Sequence, residues 1–199
     1  MKQCFRNTRQ IVEPAFNMLI GTYADSKVGN REYADVAGLK DRELIEELPS
    51  GHVRVTFATR HGEPIVPHYS DTPEAEAAWL LLRVQDLLIR EEVRPEDILV
   101  LAKTRRQADG LAASLASAAE RQLIPVQGVQ RPHADESKDQ PALQPKHITV
   151  STVHSIKGYD AYVVLVTGVE EFEDSPNDRA ALYVACTRAR ELLEISGSG

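Results

Sequence analysis

Residues 148–166 read Ile148-Thr149-Val150-Ser151-Thr152-Val153-His154-Ser155-Ile156-Lys157-Gly158-Tyr159-Asp160-Ala161-Tyr162-Val163-Val164-Leu165-Val166. Tyr162 to Val166 is apolar at successive positions, the pattern of a strand buried on both faces. Ile148 to Val150 is a shorter strand of the same kind. Between them, Thr152 to Asp160 packs hydroxyl, imidazole, ammonium, glycine and carboxylate into one tight connection.

Working outward, Ile98 to Ala102 is another short apolar run bounded by charge, entered through Arg94-Pro95-Glu96-Asp97. Further strands are expected at Ile124–Val126 and Leu192–Ile195. Helical spacing marks residues 106–120 and 178–189. A third helix opens at Asp71-Thr72-Pro73-Glu74, with a cap, a first-turn proline and first-turn acids, and runs to about Glu92. Strands alternating with helices define an α/β domain with a mostly parallel sheet flanked by helices, expected as one domain over residues 1–199. Toward the start, Ile11, Val12, Ala15, Phe16, Leu19 and Ile20 lie at helical spacing, with Thr8 as cap and Gly21 as stop. Residues 22–70 read as an irregular segment, with a short helix near 41–48, and then a hairpin. In the hairpin Val53, Val55 and Phe57 lead to a turn at His61-Gly62-Glu63-Pro64 and a return through Ile65 and Val66. Residues 128–146 show no periodicity and read as a loop.

Composition narrows the functional classes. Apolar residues make up 42% of the 199 and charged residues 27%, enough to bury a core without cross-links. No apolar run approaches the roughly 20 residues of a membrane helix, and the opening MKQCFRNTRQ is not a signal peptide. Cys4 and Cys186 form no CxxC pair, and His52, His61 and His68 lack metal-ligand spacing. Two free thiols fit a reducing cytoplasm. A net charge of −7 argues against nucleic-acid binding by bulk positive charge. It leaves room for local basic clusters, and three occur, in FRNTR, KTRR and TRAR.

In open α/β sheets, ligands bind beyond the carboxyl ends of the strands. Thr152 to Asp160 occupies such a place, and so does Lys103-Thr104-Arg105. A helix before the final strand carries Tyr183-Val184-Ala185-Cys186-Thr187-Arg188-Ala189-Arg190. Thr152 to Asp160 resembles motif V of UvrD/Rep-like superfamily 1 DNA helicases, and Tyr183 to Ala189 resembles their motif VI. Cys4-Phe5-Arg6-Asn7-Thr8 is similar to motif IV, whose core is an aromatic residue followed by arginine. The matches run in the family's order from residue 4 to about 195.

The resemblance implies a RecA-like second motor domain, one half of an ATP-dependent helicase or translocase. It assigns Arg188 and Arg6 to the γ-phosphate, where such arginines stabilise transition-state charge. It places Asp160, Gly158 and Lys157 on the nucleotide side; at Asp160 the family more often carries Glu. Thr152 and His154 would face single-stranded DNA. Thr104 and Arg105 read equally as a DNA contact or a solvated loop. No GxxxxGK[ST] occurs, so the chain has no Walker A loop. ATP with Mg2+ would therefore be bound mainly by an N-terminal RecA-like motor domain of the same polypeptide, and this chain alone is expected to hydrolyse none. By resemblance the direction of travel is 3′ to 5′. Single-stranded DNA and that first motor domain are the expected partners, with no membrane.

Other readings stay open at this stage. Taken singly, Arg188 is a solvated or salt-bridged helical arginine, His154 a satisfied histidine, and Gly158 a turn residue. The chain could belong to a helicase–nuclease fusion, or be a degenerate motor domain kept as a DNA- or protein-binding module.

Overall fold

A computed structural model describes residues 6–21, 35–132, 144–156 and 158–199. These group into two compact units. The first comprises chain up to Ile65 together with Phe172–Leu193; the second comprises Val66–Glu171 and Glu194–Gly199.

In the first unit, helix α1 spans Arg9–Ile20 and ends at Gly21, whose φ of 66° favours glycine. Helix α2 covers Val36–Asp41 and strands β1 and β2 cover Ile45–Glu47 and Val53–Val55. The two strands pair antiparallel, Ile45 opposite Val55. Polar side chains of α1 bind the edge of β2 that faces away from β1. The Asn17 amide exchanges two 2.7 Å hydrogen bonds with the backbone of Val53, and Glu13 accepts from the Val55 N–H at 2.9 Å. Val12, Phe16, Ile20, Ile45, Val53 and Val55 form the core, with Tyr183 packed against it. Tyr183 lies in helix α5, Pro176–Cys186, which is capped by Ser175 and opened by its proline.

Two expectations for this region are corrected. The partner of Val53–Val55 is Ile45–Glu47, not Ile65–Val66. Pro64 and Pro67 flank Ile65 and Val66 and remove donors that a return strand would need. The turn before them is instead tied to α1, where the Gly62 N–H donates to Gln10 Oε1 at 2.8 Å and the Arg9 N–H donates to the Arg60 carbonyl at 2.7 Å. The short helix lies at 36–41 rather than 41–48, because Glu43 takes a φ of 57° that breaks the helical run.

The second unit holds β3 (His68–Ser70), α3 (Pro73–Ile89), β4 (Ile98–Ala102), α4 (Arg105–Glu120), β5 (Gly128–Gln130), β6 (His147–Thr152) and β7 (Ala161–Val166). The last strand, β8, spans Ala189–Ser198 and supplies its final residues here. The sheet order is β3-β8-β7-β4-β6-β5. The pairs β3–β8, β4–β6, β4–β7 and β5–β6 are parallel. Every residue of β4 is buried, as its unbroken apolar run requires. Helix α4 packs over β4, β5 and β6, and α3 against α4 and β3. The expected α/β fold with a mostly parallel sheet flanked by helices is thus observed.

The strand expected at 124–126 is displaced to 128–130, inside the expected loop of 128–146. Pro125 cannot donate to a ladder, and the Val126 N–H closes a tight turn onto Ile124. Residues 133–143 of that loop lie outside the described residues.

Candidate functional site

The parallel strands β4, β6 and β7 present their carboxyl ends along one edge of the sheet. From β4 the chain passes through α4 toward β5 on one side. From β7 its next strand, β8, lies on the other side. The gap between the ends of β4 and β7 is therefore a topological switch point, the place where open α/β sheets leave a crevice. A cavity of about 700 Å³ opens there, lined by Thr104, Gln107, Thr167, Gly168, Glu76 and Leu80 among others.

Thr104 lies in the wall of this cavity as the cap of α4. Its hydroxyl meets the Gln107 N–H at 3.3 Å, while the Thr104 N–H donates to Gln107 Oε1 at 3.1 Å, a reciprocal capping box. Its oxygen is thus engaged in holding the helix start. Arg105 is exposed. The neighbouring Lys103 ammonium donates to the Glu171 carbonyl at 2.5 Å, joining the ends of β4 and β7. Glu76, which sequence reading passed over as one acid in an amphipathic helix, is 7% exposed. Its Oε1 accepts from the Gly168 N–H at 2.9 Å and from the Ser196 hydroxyl at 2.5 Å.

The connection after β6 turns sharply. Thr152 is buried; its carbonyl accepts from the Ser155 and Ile156 N–H groups, and its hydroxyl donates to Ser155 Oγ at 3.0 Å. The threonine thereby shapes the turn, and the turn exposes His154. Gly158 is exposed with a φ of 90° and nothing near its missing Cβ, so backbone conformation alone selects glycine. Asp160 is half-buried just before β7. Lys157 lies outside the described residues.

Arg6 and Arg188 belong to the first unit, whereas Thr104, Arg105, Thr152, His154, Gly158 and Asp160 belong to the second. Arg188 follows the end of α5. Its Nε donates to the Val184 carbonyl at 3.2 Å, and the Thr187 hydroxyl donates to the Tyr183 and Val184 carbonyls. Cation and hydroxyl together satisfy the final turn of the helix. Burial lowers the pKa of the Arg188 guanidinium, with Tyr183 opposing the shift; an arginine still keeps its charge at neutral pH. Arg6 is exposed. Beside Arg6 in the chain stands Asn7, 4% exposed, whose amide donates to the carbonyls of Thr187 at 2.9 Å and Ala189 at 2.5 Å. Arg60, in no motif, donates to the Arg6 carbonyl at 3.4 Å and forms an ion pair with Glu191.

Cys186 is fully buried, and burial pushes its thiol pKa up to about 12. Among the described residues no group of three or more His, Cys, Asp or Glu side chains is placed to hold a metal, and no helix is long and apolar enough to cross a membrane.

The mostly parallel six-stranded sheet flanked by helices is similar in fold to a helicase C-terminal domain of known structure. Over 98% of this chain and 88% of the other, the chain is similar to the crystal structure of the C-terminal domain of a possible DNA helicase from Lactobacillus plantarum WCFS1, with a TM-score of 0.61 and 16% identity. A slighter likeness, TM-score 0.39 and 12% identity over 63% of this chain and 26% of the other, is to the Hef helicase domain of Pyrococcus furiosus. Residues 147–195, which include the turn after β6 and the Arg188 helix, match the model of the UvrD-like helicase C-terminal domain. Over those residues the chain resembles the UvrD-like helicase C-terminal domain. No curated protein matches its sequence.

Proposed function

We propose that this domain is the second motor domain of an ATP-dependent DNA helicase or translocase. In this reading a first RecA-like domain supplies the phosphate-binding loop and the Mg2+ site. Arg188 and Arg6 bring positive charge to the γ-phosphate, and Gly158, Lys157 and Asp160 complete the nucleotide side. Thr152 would order the turn that presents His154 to single-stranded DNA, with Thr104 and Arg105 beside it at the strand ends.

The observation that carries the reading is the cross-link between the arginine segments. Arg6 and Arg188 lie 182 positions apart in sequence (188 − 6), yet Asn7 is hydrogen-bonded on both sides of Arg188. Two arginine segments drawn together in this way suit an anionic phosphate chain better than they suit an inert surface.

The test is ATP hydrolysis by the complete natural polypeptide that carries this chain, with and without single-stranded DNA, beside its Arg188→Ala variant. Turnover stimulated by DNA and reduced about a thousandfold in the variant, with ATP binding retained, is expected. A parent protein without stimulation would favour a binding module instead, and a variant as active as the parent would overturn the assignment of Arg188 to the γ-phosphate. Separately, the 199-residue chain alone is expected to show no ATP turnover.

A further inference from the structure

We infer that Asn7 is a positioning residue that aligns Arg188 for phosphate chemistry, with Arg60 and Glu191 bracing the same junction from the solvent side. The inference rests on the motor-domain reading above and deepens it.

Arg188 lies just beyond Cys186, the last residue of α5, where regular helical hydrogen bonding stops. Its N–H is held by the Ala185 carbonyl at 3.1 Å, but the carbonyls on either side of it, those of Thr187 and Ala189, need donors from elsewhere. The two hydrogens of the Asn7 amide meet both carbonyls. At 4% exposure water cannot readily replace them. Both ends of the Arg188 peptide unit are therefore tied to a single side chain next to Arg6. Arg60 adds a second tie, reaching the Arg6 carbonyl with one guanidinium nitrogen and Glu191 with another. One small buried amide thereby couples the conformations of the two arginine segments. A charge-stabilising arginine is sensitive to such support, since a displacement of about 1 Å at a reacting centre can cost on the order of a hundredfold in rate.

The experiment uses the complete polypeptide with Asn7→Asp, which keeps size and removes the donors. Asn7→Ser, which leaves one donor and buries no charge, serves if the carboxylate prevents folding. The expected result is a fall in kcat of about ten- to a hundredfold, with KM for ATP and DNA affinity within about twofold of the parent. In the same proteins, amide hydrogen exchange at residues 187–190 should accelerate, while exchange in the interior of α5 is unchanged. The decisive comparison is the double variant with Arg188→Ala. If Asn7 acts through Arg188, the double variant is no slower than Arg188→Ala alone. A folded Asn7 variant with parental kcat, or a double variant whose losses multiply, overturns the inference while leaving the motor reading in place. An Arg188→Ala protein as active as the parent overturns the role of Arg188 and the inference with it, and a parent protein with no DNA-stimulated turnover overturns the motor reading itself.

Discussion

The carboxylate of Glu76 accepts the Gly168 N–H at 2.9 Å, joining the first turn of α3 to the loop that leaves β7. The same oxygen takes the Ser196 hydroxyl, so one buried acid links three segments at the switch-point cavity. Removing it strands a buried backbone donor. Glu76→Ala is expected to lower stability by about 2–3 kcal/mol, and Glu76→Gln, which keeps an acceptor, by about half as much. Urea unfolding of the two variants measures this; equal losses would show that only packing matters.

Arg83 is the hub of a second network. Its guanidinium meets Glu194 at 2.6 Å, Glu91 at 2.6 Å and Asp86 at 2.9 Å. Burial pulls its pKa down, but the hydrogen bonds and charges of Glu194 and Glu91 outweigh that and raise it above the ordinary value. Arg83→Ala is expected to cost about 1–2 kcal/mol, more than a lone surface pair, because three acids lose one partner. Arg90→Ala, whose side chain is 82% exposed on its single pair with Asp86, should cost at most a few tenths of a kcal/mol. Thermal unfolding of the pair of variants tests the ranking.

Gly158 has open space around its missing Cβ but a φ of 90°. Gly158→Ala should therefore cost about 1–2 kcal/mol by backbone strain alone. It should also disturb the turn that carries His154. A variant of unchanged stability would indicate that the turn can relax.

Cys186 should be inert to thiol reagents in the folded protein and reactive once unfolded, because burial raises its pKa to about 12 and hides the sulfur. In a Cys4→Ser background, labelling at pH 8 should require urea. The sign for stability follows from linkage: a raised thiol pKa means that the folded state favours the neutral form. That contribution is whole below the ordinary value of 9.0 and is lost as pH rises from there toward 12. Unfolding midpoints across that range should fall more steeply than those of Cys186→Ala.

His154 and Arg105 are exposed next to strand carboxyl ends. If they touch the DNA backbone, His154→Ala and Arg105→Ala in the complete polypeptide should each weaken single-stranded DNA binding severalfold without loss of stability. Arg105→Ala should also reduce the salt slope by about 0.7. An unchanged slope would place Arg105 among solvated loop residues.

The sheet was legible wherever burial is two-sided. Ile98–Ala102 and Val163–Val166 are apolar at every position because both faces are covered, and local pattern alone identifies such strands; Tyr162, read as part of the same run, is exposed. The start of α3 was legible for an equally local reason, since the Thr72 cap and Pro73 act within a few residues, whereas α5 begins at Pro176, two residues before its expected start. The edge strands His68–Ser70 and Gly128–Gln130 carry no comparable signal. Each is three residues long and at best half-buried, and register with a neighbour makes it a strand. The pairing of Val53–Val55 failed for the same reason: Ile45-Glu46-Glu47 has one apolar residue and carries no strand signal of its own, so it read as part of a short helix, and pairing with Val53–Val55 makes it a strand.

The resemblance that singles out Arg6 and Arg188 rests on the sequence alone, because short runs of residues can be compared without coordinates. What only the tertiary structure decided is which distant groups hold them. Asn7 bonds across 180 residues to Thr187, Arg60 pairs with Glu191, and Glu76 reaches Gly168 and Ser196. Hydrogen bonds of this kind depend on proximity in space, and the folding of the intervening chain creates that proximity without leaving a periodicity or spacing in the sequence.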